Sequence, residues 1–399
     1  MTITSKQPGA TITVNALAPA SSRLFKPIRL GSVDLQHRIV LAPLTRYRND
    51  KDHVAMDLMV KYYADRASVP GTLIISEATP TGHDDEGVPN LGGVQSEAQV
   101  RGWARVIEAV HAKGSFYFQQ LYALGRASEP DYLASRGYGY KSSSAVAMDG
   151  TTVAPAEMTE EDIQNKIEDF VSGARNMVRA GADGVEIHGA HGYLIDQFIS
   201  DSINKRTDRW GGTIENRARF LLTIVKRVVN EIGAERVAIR LSPFAAFQGA
   251  ESSDIIGQYS YIVKELKGMD VPFAYLSLVE ATGDPGALIF NGKWVNQGMT
   301  LDFILDIWYN QSPVIVAGGY QPETAACAVE ERYMRWNVLV AFGRHFLANP
   351  DLVFRIRNNI PLNKYNRATF YIHMSEVGYN DYPFSGEFIS TMSDGIASQ

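Results

Sequence analysis

Gly184-Val185-Glu186-Ile187-His188-Gly189-Ala190-His191-Gly192-Tyr193-Leu194 is the stretch on which the fold turns. A short, largely apolar run stops at two histidines three residues apart, and a tyrosine follows, with glycines between them. The run is too short for a helix and reads as a buried strand giving way to a loop. Three proton-active side chains therefore stand at a strand end.

Seven further runs have the same character: Ile39-Val40-Leu41-Ala42, Leu73-Ile74-Ile75-Ser76, Phe116-Tyr117-Phe118-Gln119 and Val237-Ala238-Ile239-Arg240, then Ala274-Tyr275-Leu276-Ser277, Val314-Ile315-Val316-Ala317 and Val338-Leu339-Val340-Ala341. Most are apolar on both faces, as strands of a parallel sheet covered on both sides should be. The segments between them read as helices. Thr159 opens one, with Asp162 completing a capping box, and Ile163, Ile167, Phe170, Ala174, Met177 and Val178 trace its inner face. Another starts near Ile214 and stops at Gly233. Further helices are expected over Ser96 to Ala112, Ser253 to Lys267, Leu301 to Trp308, Pro322 to Met334 and Phe346 to Arg357.

Eight strands, each followed by a helix, predict an α/β fold of the (β/α)8 TIM-barrel type, with a doubly wound open sheet as the competitor. Residues 122–157, after the third strand, are long enough to form a hairpin lid, and residues 279–299, after the sixth, form a second long loop. Residues 1–22 lack periodicity and are expected as a flexible N-terminal arm. Residues 23–399 show no linker and read as a single domain.

Composition narrows the function classes. The 399 residues are 45% hydrophobic and 21% charged, with a net charge of −6, which argues against nucleic acid or anionic membrane as a partner. One cysteine, Cys327, leaves no intrachain disulfide and no cysteine-based metal site. No apolar run reaches 18 residues and the N-terminus has no secretory pattern, so a cytoplasmic enzyme is expected.

In a barrel the groups just after each strand meet at one mouth. The first strand delivers Pro43, Leu44 and Thr45; the second, Glu77 and Ala78; the third, Gln120 and Tyr122; the fourth, His188, His191 and Tyr193; the fifth, Arg240. Gly318 and Gly319 follow the seventh, and Gly343 and Arg344 the eighth. Glycines in those last two loops, with an arginine opening a helix, match a phosphate site. Gln120 and Arg240 stand where packing alone would prefer apolar groups: they suit either an internal hydrogen-bonded pair with a neighbouring carboxylate or the polar edge of a planar ring, because an amide both donates and accepts and a guanidinium adds fixed charge. The two histidines could be metal ligands, but Ser76, Gln120, Arg240 and Ser277 do not complete a catalytic ligand set, so no metal is expected. What remains is a pair of N–H donors aimed at one oxygen, with a phenol nearby.

From about Leu24 to Phe384 the chain resembles the Old Yellow Enzyme family of FMN-dependent ene-reductases. The resemblance rests on Leu24-Phe25-Lys26-Pro27, Leu41-Ala42-Pro43-Leu44-Thr45-Arg46, Gln120 to Arg126, the opening stretch, Arg206 to Arg217, Phe342-Gly343-Arg344 and Asn363 to Tyr371. The run after Ile203 looks like a fungal or yeast-type NADPH dehydrogenase. The resemblance implies non-covalent FMN against Pro43, Leu44, Thr45 and Ala78, with Gln120 and Arg240 at its pyrimidine edge. Gly318, Gly319, Gly343 and Arg344 would hold the phosphate, and Phe370 would pack on the dimethylbenzene edge. It further implies NADPH as reductant and an α,β-unsaturated carbonyl substrate among Tyr122, Phe247, Tyr371 and the histidines. His188 and His191 would bind the carbonyl oxygen, flavin N5 would give hydride to Cβ, and Tyr193 would protonate Cα.

The chain departs from common members at four places: His191 where Asn is frequent, Tyr122 where Trp is frequent, His37 for Asn and Ala78 for Gly. Three alternatives stay open. One is a biosynthetic enal reductase or isomerase, some relatives of that kind lacking the tyrosine donor; the others are a metal-dependent barrel hydrolase and a non-catalytic flavin carrier. A monomer or homodimer acting on a small molecule is expected.

Overall fold

The computed structural model describes residues 3–7, 10–14, 19–288, 296 and 298–397. Eight strands close into a barrel: β1 (Ile39–Leu41), β2 (Leu73–Ile75), β3 (Phe116–Tyr122), β4 (Gly184–Gly189), β5 (Val237–Leu241), β6 (Tyr275–Val279), β7 (Val314–Ala317) and β8 (Val338–Phe342). All eight neighbour pairs are parallel, and β8 pairs with β1 (Phe342 opposite Leu41) to shut the cylinder. Each strand sits on one of the expected apolar runs, so the sheet is the closed barrel and not the open alternative.

Strand geometry explains why the runs are apolar throughout. Successive side chains alternate between the barrel interior and the helix shell. Val40, Leu73, Ile75, Phe118, Ala238, Tyr275, Ile315 and Leu339 fill the interior, and the hairpin Ile28–Leu30/Val33–Leu35 closes its floor. Ile39, Leu41, Ile74, Tyr117, Val185, Ile187, Ile239 and Leu276 face outward into the larger cluster shared with the helices.

The helix signals are realised at their caps. α2 is Glu97–His111, with a capping box between Ser96 and Gln99, and α3 is Glu160–Arg179, with the expected box between Thr159 and Asp162; α1 (Asp57–Arg66), whose N-cap Met56 makes no side-chain bond, is not among the expected helices. α4 (Ile214–Ile232) ends at Gly233, whose φ of 85° supplies the stop. α5 (Ile255–Gly268) and α6 (Asp302–Trp308) also fall where expected.

The last two helices depart from the sequence reading. The segment expected as one helix over 322–334 is α7 (Pro322–Cys327) followed by a wider turn over Ala328–Arg332. Arg23 causes the widening locally: its Nη1 takes the Val329 carbonyl at 2.8 Å, while Ser22 Oγ donates to Glu330 at 3.0 Å. The segment expected over 346–357 is two pieces, Arg344–Ala348 and α8 (Leu352–Asn358), divided at Asn349-Pro350. Pro350 has no N–H to continue the ladder, and Asn349 Nδ2 takes the His345 carbonyl instead at 2.8 Å.

The insertion after β3 is not a hairpin. Its strands, Lys141–Ser142 and Ala156–Glu157, pair parallel, preceded by a helix over Pro130–Ser135. Arg126 stitches it across the mouth: Nη1 reaches the Val146 and Ala147 carbonyls at 3.2 and 3.1 Å, and Nη2 reaches that of Gln248 at 2.6 Å. After β6 come a turn at Ala281–Gly283 and a helix over Pro285–Leu288, while residues 289–295 and 297 of the long loop lie outside the described residues. Within 1–22, Ile3–Gln7 pairs antiparallel with Ala10–Val14, with no ladder to the barrel. Among the described residues no helix is long and apolar enough to cross a membrane.

Candidate active site

The strand ends open into one cavity of about 690 Å³. Every residue expected to hold flavin or substrate lines it; Glu77, also expected at the mouth, is instead buried away from it and accepts from Asn49 at 2.8 Å. Pro43, Leu44, Thr45 and Ala78 form one wall; Gln120, Tyr122 and Arg240 stand at the base; His188, His191 and Tyr193 face them with Phe247. Gly318, Gly319, Gly343 and Arg344 form the far end, and Phe370 and Tyr371 cover the side.

His188 pairs with Arg240 of β5, one residue before the ladder ends at Gly189 opposite Leu241. Its Nδ1 and the Nε2 of His191 are buried with no hydrogen-bond partner in the protein. Neither ring has a hydrogen-bond partner among the described residues, and both line the cavity, so each has a nitrogen to offer an acceptor held there. The ring centroids lie 5.7 Å apart, with Tyr193 5.2 Å from His188 and Tyr122 5.0 Å from Tyr193. Burial lowers the His188 pKa well below its usual value, with help from His191 and Arg240; burial and Arg240 lower that of His191 to about 3. Both imidazoles are therefore neutral at physiological pH, each with a single N–H. Burial raises the Tyr193 phenol, with Tyr47 and Tyr371 adding to it, so that it keeps its proton.

The loop bearing these groups has a special backbone. His191 sits at φ 57° and Gly192 at φ 73°. A Cβ on Gly192 would meet the Phe247 carbonyl at 2.7 Å, so the loops after β4 and β5 need glycine to close on each other. Asp196 accepts from Gly192 N at 2.8 Å, Ser242 accepts from His191 N at 2.8 Å, and Gln197 Nε2 donates to the Gly192 carbonyl at 2.7 Å. The sequence reading missed all three. Asp196 and Gln197 carried one signal, polar residues inside the apolar segment Leu194–Ile199.

At the base, Gln120 Nε2 donates to Glu186 Oε1 at 2.6 Å, so the amide has a carboxylate partner and also lines the cavity. Arg240 is buried, and its Nε and Nη1 are without partners. At the far end, a Cβ on Gly318 would meet Thr282 Oγ1 at 2.8 Å, and Gly319 lies at φ 74°. The helix after Gly343 is only five residues long, so the anion-binding character of this end rests on open backbone and on Arg344. Arg344 reaches the Tyr365 hydroxyl at 3.3 Å and joins no ion pair among the described residues. Phe370 and Tyr371 are placed by two buried arginines. Arg46 donates to the Phe370 and Gly378 carbonyls at 2.9 and 2.6 Å, and Arg48 to the Thr369 and Ser375 carbonyls at 3.1 and 2.9 Å.

An acidic trio, Asp84, Asp85 and Asp169, lies outside this cavity. Lys166 Nζ already sits among its oxygens at 2.6, 2.5 and 2.9 Å. The open donors of the main cavity (two imidazole nitrogens, a guanidinium, an amide and glycine backbone with an arginine) instead fit a planar heterocycle with an anionic tail beside a carbonyl ligand.

Residues 23–363 match the model of the NADH:flavin oxidoreductase / NADH oxidase family. The chain is 45% identical to the chanoclavine-I aldehyde reductase fgaOx3 of Penicillium roqueforti (strain FM164) over 368 residues, 92% of this chain and 98% of that protein. It is 42% identical to the probable inactive reductase easA of Epichloe festucae var. lolii over 93% of this chain and 97% of that one. The crystal structure of Old Yellow Enzyme from Pichia sp. AKU4542 matches with a TM-score of 0.83 at 37% identity, covering 92% of this chain and 95% of the other. The barrel, its cavity and these matches lead to one conclusion: the chain belongs to the NADH:flavin oxidoreductase / NADH oxidase family, the FMN-binding barrels among which Old Yellow Enzyme stands.

Proposed function

We propose that the protein reduces the activated C=C bond of α,β-unsaturated carbonyl compounds with NADPH, using FMN held in the barrel cavity. The observation that carries this reading is the pair of imidazoles, His188 and His191, which line the cavity without a hydrogen-bond partner among the described residues, beside the protonated phenol of Tyr193. Bound FMN supplies the hydride chemistry, accepting from the nicotinamide and giving to the alkene carbon. Pro43, Leu44, Thr45 and Ala78 would line its ring, Gln120 and Arg240 would hold its polar edge, and Phe370 would pack against it. Gly318, Gly319, Gly343 and Arg344 would take its phosphate.

His188 and His191 donate to the substrate carbonyl oxygen, where charge develops as hydride arrives at Cβ. Because both rings are neutral before the reaction, they polarise the carbonyl without handing it a proton. Tyr193 is the general acid toward Cα. Tyr122, Phe247 and Tyr371 shape the space for the rest of the substrate.

A biosynthetic role, reduction of one pathway enal, is the second reading, favoured by the likeness to the chanoclavine-I aldehyde reductase. Tyr193 supports net reduction over rearrangement, because a proton donor at Cα completes the reduction. An anaerobic titration tests both: NADPH should bleach the ~450 nm flavin band, and an enone or enal should restore it. Flavin that NADPH cannot bleach would make the protein a carrier; product isomerised without NADPH consumption would make it an isomerase.

A further inference from the structure

Glu186 is a carboxyl group of the barrel interior that the proposed chemistry does not use. It lies on β4 directly opposite Gln120 of β3, two residues before His188. Val185 and Ile187 face the helices, so Glu186 points into the barrel, below the cavity, and it is 0% exposed. Gln120 Nε2 reaches its Oε1 at 2.6 Å. Its Oε2 has no hydrogen-bond partner, nor do the buried hydroxyls of Tyr275 and Ser277, which lie near enough to lower its pKa. Burial raises its pKa, and the opposite charge of Arg240, on β5, works against that rise together with the Gln120 bond, favouring the carboxylate.

We propose that Glu186 is a positioning residue: its carboxylate beneath Gln120 turns the amide so that the carbonyl end meets the ring in the cavity, and its charge offsets that of Arg240. A carboxylate only accepts, so the amide must give it the NH2 end. The plane of the amide then sends the oxygen the other way. With the free Arg240 N–H groups alongside, the base offers one acceptor next to donors, the complement of an imide edge with N–H beside C=O. Remove the carboxylate and the amide can turn either way, so the acceptor is no longer enforced. Removing it also leaves the Arg240 charge uncompensated in a dry site, where an anionic reduced ring gains more than a neutral oxidised one.

This inference rests on the reading of Gln120 and Arg240 as holding the polar edge of FMN, and the experiment separates the two. Glu186→Gln keeps shape and removes charge. In the holoprotein it should favour reduced over oxidised FMN by about tenfold more than wild type, an upward shift of ~30 mV for the two-electron couple. On apoprotein, wild type should bind FMN at least ~10-fold better than 3-methyl-FMN, whose blocked N3 cannot donate, and Glu186→Gln should narrow that preference to about threefold. A purely structural glutamate would change melting temperature and leave both the potential and the preference alone, which would overturn the proposal. Should Glu186→Gln fail to fold, Glu186→Asp carries the test: it keeps the charge but falls short of the amide. It must narrow the preference with the potential near wild type, and an intact preference overturns the proposal. Gln120→Ala is the control. If it changes neither FMN affinity nor the 3-methyl preference, the reading of the cavity base fails; if it changes them while Glu186→Gln does not, only the role of Glu186 fails.

Discussion

Gln248 Nε2 donates to the backbone carbonyl of His191 at 3.1 Å, bracing a histidine held at φ 57° from a residue that is itself at φ 60°. Two left-handed non-glycine residues in adjacent loops thus support each other at the cavity wall. Such conformations cost of order 1–3 kcal/mol each and persist only where the surroundings over-determine them. Removing the brace tests whether it holds the imidazole in place. Gln248→Ala should keep FMN content and weaken binding of a phenol ligand by about fivefold, the scale of one hydrogen bond to backbone. A spectral titration with the phenol reads this, and unchanged affinity rejects the bracing role.

Tyr193→Phe removes only the phenol oxygen. Flavin reduction by NADPH should continue at its wild-type rate, while alkene reduction slows by roughly 10² or more, the usual scale for a lost general acid. Stopped-flow measurement of the two half-reactions separates them.

His191→Ala removes one of the two carbonyl donors. The oxidative half-reaction should slow by about 10²-fold, near 3 kcal/mol, with flavin reduction much less affected. Equal turnover would mean that His188 alone binds the oxygen.

Arg344→Ala removes the cation at the glycine end of the cavity. Apoprotein carrying it should bind FMN about 10- to 100-fold more weakly and riboflavin nearly as well as wild type, because only FMN has the phosphate that a charge-assisted bond would hold. Equal losses for both flavins would move the phosphate elsewhere.

His37 gives a pH signature away from the chemistry. It is buried, accepts from Ile39 N at 3.2 Å and meets Thr72 Oγ1 at 2.9 Å, and burial lowers its pKa from 6.5 to about 3. Its neutral form is the one the fold accepts, so its contribution is complete above about pH 6.5. As pH falls from there toward 3, the unfolded chain takes up a proton that the folded one refuses, at up to about 1.4 kcal/mol per pH unit. His37→Asn should remove that slope, seen as a gap between wild-type and variant denaturation midpoints that changes steadily over this window. Raised carboxyls such as Asp196, pushed up by burial to about 7, act in the opposite direction in part of the same range, so the difference between variants is the quantity to read.

The strands were legible because a buried parallel strand needs apolar residues on both faces, a requirement local to each run. α2 and α3 were equally legible, since a capping box is a contact over three residues. The break at Asn349-Pro350 was also visible in principle, because proline carries its own stop. The widened turn at Ala328–Arg332 was not, because its cause is Arg23, 306 positions away from Val329. The insertion's parallel ladder, only two residues long on each strand, is below any periodic signal.

The site divides in the same way. The sequence by itself determined which side chains stand at the cavity, because strand ends of a closed barrel converge whatever else the chain does. His188, His191, Tyr193, Gln120, Arg240 and Arg344 follow from that rule and from their residue types. Only the tertiary structure decided how they are held: Glu186 under Gln120, Gln248 against the His191 carbonyl, Asp196 on Gly192, and Arg46 and Arg48 gripping the segment of Phe370. Most of these bonds join positions far apart in the chain, and no local pattern encodes which polar neighbour a buried group will meet. The physical reason is that backbone propensity and burial act within a few residues. The partner of a buried amide or carbonyl is chosen only when the barrel closes.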